Sequence, residues 1–411
     1  MNTKELTDKY IMNTYGRFDL TLVKGDGCIL YDEKGKKYID FASGIAVNNL
    51  GYNNHAINSA VINQIKKLIH VSNYFYTEPQ ALLAEKLCKN SFADKVFFCN
   101  SGAESVEGAI KLARIYAKKF SKRGHKVIAM ENSFHGRTFG ALSATGQDKY
   151  HKGFEPLLEG FTHVKFNDFS AVEKLINGAG GNAGNGKAGN GNDYCAVIVE
   201  PVQGEGGVNI ADKGYIKSLR DLTAENDVAL IFDEVQVGLG RTGKLFAYMN
   251  YGVEPDVMTL AKPLAGGLPI GAVLAKDKIA KAFEPGNHAS TFGGGPLITA
   301  AANAFIDEIT KEDFLDEVLK TGNYIKSKLN ELKLDFSEFI KDVRSIGLIG
   351  AIEFYEIKAK EIAVKLIEEG FLTTTVQDKI LRLTPPLIIK KSDVDLLIES
   401  IVKVLNGHYN K

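Results

Sequence analysis

The residue with the most chemical promise is Lys262, which directly follows the apolar run Val257 to Ala261 and precedes Pro263 and the turn-forming pair Gly266-Gly267. A lysine there sits at the carboxyl end of a strand, where ligands gather in open α/β sheets. Partial desolvation lowers a lysine's pKa and makes its amine a nucleophile toward carbonyls. The plainer alternative is a solvated loop lysine. A second run, Ala229-Leu230-Ile231-Phe232, ends abruptly in Asp233-Glu234-Val235-Gln236. A buried aspartate at such a place needs a cationic or donor partner, and a protonated heteroaromatic nitrogen provides one. A metal carboxylate or a helix-capping role reads equally well.

Four further segments carry charged or polar groups in apolar settings. Phe97-Phe98-Cys99-Asn100-Ser101-Gly102-Ala103-Glu104 runs from a strand through a glycine turn into a helix, and free N–H groups at such a start suit a phosphate. Ser101 with Glu104 also fits an ordinary capping box. Phe134-His135-Gly136-Arg137 combines a ring that can stack on a flat ligand with a guanidinium that can clamp a carboxylate; a core phenylalanine and a surface arginine would look the same. Glu205 lies in Glu200-Pro201-Val202-Gln203-Gly204-Glu205-Gly206-Gly207, after the run Ala196 to Val199. Arg382 stands between Leu381 and Leu383, an alternation that also suits a solvent-facing edge position.

Positioning these residues requires a sheet. Short apolar runs recur between helical stretches at Val96 to Cys99, Lys126 to Met130, His163 to Phe166, Ala196 to Glu200, Ala229 to Phe232, Val257 to Ala261 and Gly271 to Ala275. Their near-continuous apolarity predicts a parallel sheet covered by helices on both faces. From about residue 301 the pattern changes to amphipathic stretches (Ala301 to Thr310, Phe314 to Leu332, Ala359 to Glu369) with short strands near Ile349 to Phe354 and Ile380 to Leu383, a smaller α+β lobe. The N-terminal segment, with a hairpin turn at Asp32 to Lys36, is expected to join that lobe. The division is then 1–60, 61–300 and 301–411. Residues 177–193 hold seven Gly and five Asn and bury almost nothing, which predicts a mobile surface loop.

Fifty Lys plus Arg balance fifty Asp plus Glu, so no overall field draws a nucleic acid or an anionic membrane. Four scattered cysteines make neither a disulfide framework nor a C-x-x-C pair. The N-terminus lacks a signal-peptide core and no run of roughly 18 apolar residues follows, so a cytoplasmic protein acting on small molecules is expected.

The order and spacing of these motifs, with Lys262 placed 29 residues after Asp233, resemble the class III aminotransferases of fold type I. The resemblance runs from Asn13-Thr14-Tyr15-Gly16-Arg17 through Ser43-Gly44-Ile45-Ala46-Val47 to Pro385-Pro386. It implies a large domain with a mostly parallel seven-stranded sheet, a small lobe from both chain ends, and pyridoxal 5'-phosphate as cofactor. By the same resemblance Lys262 takes the cofactor's aldehyde as a Schiff base, Asp233 pairs its ring nitrogen, Gln236 contacts its ring hydroxyl and Phe134 stacks on the ring. Ser101, Gly102 and Ala103 hold the phosphate. Thr291 reaches the phosphate of a neighbouring subunit, which implies a homodimer with shared active sites. The substrates implied are amino and oxo acids, bound through Tyr15, Arg137 and Arg382, with Glu205 pairing Arg382 when the donor has no carboxylate beside its reacting carbon. Two departures stand out: Asp19 where the family commonly has proline, expected to alter a loop near the substrate mouth, and Pro263 directly after the lysine.

Overall fold

The computed structural model describes residues 1–178 and 192–409. The Gly/Asn-rich stretch, and with it the expected mobile loop, lies outside the described residues except at its two ends.

Seven of the apolar runs form one sheet, in the spatial order Lys95–Cys99, Gly271–Ala275, Val257–Leu260, Ala229–Asp233, Tyr194–Val199, Lys126–Met130 and Phe161–Val164. All run in one direction except Gly271–Ala275, which is antiparallel to both neighbours. The edge strand lies two residues earlier than the expected 163–166, because Val127 pairs with Phe161. Both faces of the sheet are covered, which is why its strands are apolar throughout. Leu230 and Phe232 face a core that includes Leu219, Phe246 and Phe305. Their neighbours Ala229 and Ile231 face the opposite core, filled by Ala109 and Ala113 of the helix Gly102–Tyr116.

The helix Pro296–Ile309 buries Phe305, Ile306 and Ile309 in the first of these cores. It was expected to open the small lobe at residue 301, but its apolar face is matched by the sheet domain instead. We therefore propose that the division falls just after it. Beyond it, Ile340–Ile346, Ile349–Phe354, Ile380–Leu383 and Thr374–Val376 form an antiparallel sheet, in that order. Its core takes residues from Phe314–Asp335, Ala359–Glu368 and Lys391–Tyr409. The N-terminal segment contributes Phe41 to the same core. Its strands Leu22–Asp26, Ile29–Asp32 and Lys37–Asp40 form a meander completed by Phe371–Leu372, which runs parallel to Lys37–Asp40.

The fully buried side chain of Arg241 ties these parts together. Its guanidinium donates to the carbonyls of Leu348 (2.8 Å) and Pro385 (2.5 Å) and to Asn49 Oδ1 (2.5 Å). Burial pulls its pKa down to about 9 despite the nearby Asp40 carboxylate. Arg241→Leu would leave three acceptors without a donor. It is expected to cost about 3 kcal/mol or more of unfolding free energy. Chemical denaturation would check this, and a loss below about 1 kcal/mol would show that the hub is dispensable.

Candidate active site

Because six strands share one direction, their carboxyl ends and the start of the reversed strand meet at one edge of the sheet. A cavity of about 400 Å³ opens there, and Ser101, Glu200, Asp233, Lys262 and Ile270 line it from five different strand ends. Such a volume suits a small-molecule ligand.

Lys262 begins a single 3-10 turn, Lys262–Leu264, directly after the strand Val257–Leu260 and Ala261. Its φ of +28° is a left-handed backbone that residues with a Cβ seldom adopt, a local strain of the kind that concentrates at functional sites. Pro263 fits the turn without loss, since Leu264 N–H still donates to Ala261 O (2.9 Å). Burial lowers the pKa of the Lys262 ammonium; Glu205, Asp233 and Glu200 oppose that shift while Arg382 adds to it.

Asp233 is held on both oxygens. Oδ1 accepts from Thr259 Oγ1 (3.0 Å) and Val235 N–H (3.1 Å), and Oδ2 lies 2.7 Å from His135 Nδ1. Two buried carboxyls flank it. Burial and the Asp233 charge raise the pKa of Glu200, which accepts from Phe134 N–H (3.1 Å). Glu234 accepts from the amides of Ala247 and Tyr248, and burial pushes its carboxyl up to about 8. Phe134 lines the cavity, with Tyr150 edge-on to its ring at 5.6 Å and the Arg137 guanidinium 4.1 Å from the Tyr150 centroid.

The helix Gly102–Tyr116 points its N-terminus at the cavity. Ser101 caps it by accepting from Glu104 N–H (3.2 Å) and lines the cavity, but the capping box is only half formed, because the Glu104 carboxylate accepts from Asn100 N–H (2.6 Å) and not from Ser101 N–H. The amides of Gly102 and Ala103 donate to no acceptor among the described residues. A side chain at position 102 would stand 2.7 Å from Val235 Cγ1, so the cradle exists because residue 102 is glycine.

Arg382 is buried in a strand paired on both sides, not solvent-facing as its alternation allowed. Its guanidinium meets Glu205 Oε1 at 2.5 Å, Gln236 Oε1 at 3.2 Å and Thr374 Oγ1 at 3.1 Å. Gln236 also donates to Glu205 Oε1 (3.2 Å), which joins the three into one network at the cavity wall. Arg382 holds the Glu205 pKa down against burial, so this carboxylate is ionised at neutral pH.

Tyr15 is not brought to the cavity: it is exposed, with Arg17 over its ring. Asp19 is likewise exposed and pairs with Lys4 (2.8 Å). Thr291 lies apart from the cavity, in a surface concavity with Asn100, Glu104 and Phe292. Glu200 and His135 also line the cavity and Tyr150 packs on Phe134, none of them among the site residues expected from the sequence. The signal for Glu200 was present, since it ends an apolar strand as Asp233 does. The contact of His135 with Asp233 spans 98 residues and has no local signature.

A class-III aminotransferase family model matches residues 10–405. The acetylornithine aminotransferase of Caldanaerobacter subterraneus subsp. tengcongensis is 47% identical, over 97% of this chain and 98% of its own length. The enzyme of the same name from Methanocaldococcus jannaschii is 46% identical, over 98% of each chain. Among solved structures, an ornithine aminotransferase from Toxoplasma gondii, with partial occupancy of PLP at its active site, superposes with a TM-score of 0.91. It is 28% identical, over 99% of this chain and 95% of its own. An acetylornithine aminotransferase from Elizabethkingia anophelis gives 0.84 at 33% identity, over 97% and 98%.

Proposed function

This chain belongs to the class-III aminotransferase family, which uses pyridoxal phosphate, and we propose that it transfers the δ-amino group of N2-acetylornithine to 2-oxoglutarate. The products are N-acetylglutamate 5-semialdehyde and glutamate, a step of arginine biosynthesis. The observation that carries the reading is the ion pair between Glu205, which lines the same cavity as Lys262, and the buried Arg382, because a neutralised arginine suits a donor whose reacting carbon bears no carboxylate. The choice of acetylornithine follows relatives of that name at 43–47% identity over nearly the whole chain.

The cavity fits the cofactor. It offers unengaged amides at Gly102 and Ala103 with the Ser101 turn for a phosphate, the Phe134 ring for a planar face, Asp233 for a cationic ring nitrogen, Gln236 for a ring hydroxyl and Lys262 for an aldehyde. When bound, pyridoxal phosphate supplies the aldehyde that receives the donor's nitrogen and the ring that takes up the electron pair of the broken C–H bond. His135 and Thr259 fix the orientation of Asp233. The Lys262 Nζ, poor at holding a proton because it is buried, takes the proton from the donor's reacting carbon and later returns one to the reacting carbon of the acceptor. Arg137 takes the carboxylate remote from the reacting carbon. When glutamate enters, its α-carboxylate takes the place of Glu205 on Arg382, so one site serves two substrate shapes.

The functional unit in this reading is a homodimer in which Thr291 of each copy reaches the phosphate held by the other. Tyr74, Phe75, Tyr76 and Phe292 are all exposed, and Asn73, next to this aromatic run, donates to Ser290 O and Gly293 O, which places an apolar surface beside Thr291.

Mixing the yellow holoenzyme separately with acetylornithine, ornithine, succinylornithine and 4-aminobutyrate, and following loss of the visible cofactor band, tests the substrate. Acetylornithine is expected to react fastest. An advantage of about tenfold or more for ornithine, roughly 1.4 kcal/mol in transition-state binding, would overturn the choice.

A further inference from the structure

Glu205 sits in the loop Gly204 to Val208, which joins the two-residue strands Val202–Gln203 and Asn209–Ile210. The sheet domain supports one side of this loop. A Cβ on Gly206 would come within 2.6 Å of Asn132 O, and Asn209 Nδ2 donates to Gly206 O at 3.1 Å.

The other side is gripped by the small domain. Gln377 Nε2 donates to Gly206 O at 2.9 Å, and Arg344 Nε donates to Gly207 O at 3.0 Å. Gln377 occupies the turn between Thr374–Val376 and Ile380–Leu383 with a φ of +52°, a left-handed backbone. The same hairpin carries Arg382. One hairpin therefore holds Glu205 twice, by its carboxylate through Arg382 and by the following carbonyl through Gln377. Arg344 is itself oriented by Asp342 (2.9 Å) and Glu353 (2.7 Å).

We propose that Gln377, assisted by Arg344, is a positioning residue that presents Glu205 to Arg382 and so sets the balance between the two substrate shapes. The inference rests on the reading of Glu205–Arg382 as a substrate-dependent pair. If the grip is lost, the loop withdraws, the pair weakens, and Arg382 is left open to an α-carboxylate. Glutamate then gains, while a donor with a bare methylene at its reacting carbon loses.

The test compares wild type, Gln377→Met, Arg344→Met and Glu205→Gln as holoenzymes. Methionine matches the length of glutamine and reaches as far as the Nε of arginine, and in each case it removes the donor to the loop. Two quantities are read: the ratio of half-reaction rates for glutamate and acetylornithine, and calorimetric binding of glutarate, a dicarboxylate with no amino group. Gln377→Met is expected to raise the ratio roughly three- to tenfold, the size of one hydrogen bond, and to tighten glutarate in the same direction. Arg344→Met should follow with a smaller shift. Glu205→Gln should move both quantities furthest. If Glu205→Gln shifts them and both methionine variants stay within about twofold of wild type, the positioning role is overturned while the pair survives. Equal slowing of both half-reactions, with glutarate binding unchanged, also overturns it. An unchanged ratio in Glu205→Gln would instead overturn the reading of the pair, and the positioning role with it.

Discussion

Lys262→Ala is expected to lower turnover by at least about a thousandfold, within the range associated with removing a positioned general acid–base, and to abolish the visible band of lysine-bound cofactor. The two effects share one cause. The amine that engages the aldehyde is also the nearest group able to carry a proton to and from the reacting carbon, and its lowered pKa leaves more of it unprotonated at neutral pH than an exposed lysine would be. Folding should be spared. Alanine meets the same backbone demand at φ +28° as lysine does, and the substitution removes a cation that burial disfavours. The absorbance spectrum, single-turnover rate and unfolding midpoint together check the prediction. Turnover near the wild-type rate would end the mechanism, and a collapsed midpoint would show that Lys262 supports the fold.

Asp233→Asn is expected to cost about a hundred- to a thousandfold in the half-reaction, the range found when one preorganised electrostatic partner is removed. Asparagine keeps the shape, and its oxygen can still accept from Thr259 and Val235. What it lacks is the negative charge that keeps a proton on the cofactor's ring nitrogen and so keeps the ring electron-withdrawing. Cofactor retention through gel filtration should fall as well. Stability should hold or rise, because Asp233 raises the pKa of both Glu200 and Glu234 and its charge burdens a site already holding those buried carboxyls. Stopped-flow rates for both half-reactions check this. A loss below about fivefold would assign ring-nitrogen pairing to another group.

The large domain was legible because its strands are buried on both faces, which writes each as a continuous apolar run bounded by polar or glycine residues. Direction was less legible. Gly271–Ala275 reads like its neighbours, and its reversal follows from a connection after Leu260 too short for a crossover helix. The helix Pro296–Ile309 was given to the small lobe because amphipathicity shows that a helix has an apolar face without showing what covers it. Within the site, Lys262, Asp233 and the Ser101 turn stood out as strand ends, whereas the burial of Arg382 depends on pairing with two other strands. Gln377 and Arg344 were invisible because each acts through a backbone carbonyl, which carries no residue-type signal.

The pairing of Lys37–Asp40 with Phe371–Leu372 also has a consequence for biosynthesis. The N-terminal strands leave the ribosome first, yet their neighbour and the core that receives Phe41 emerge roughly 330 residues later, about 20 to 70 s at ordinary elongation rates. In that interval the residues of the sheet domain emerge, Lys262 and Asp233 among them, and domains generally fold as units in that order. Ser43, whose hydroxyl donates to Thr384 O, and Arg382 two residues before that carbonyl take their positions only when the last segment arrives. Assembly therefore runs from cofactor cradle to substrate discrimination, and a chain that stalls late would hold the first without the second.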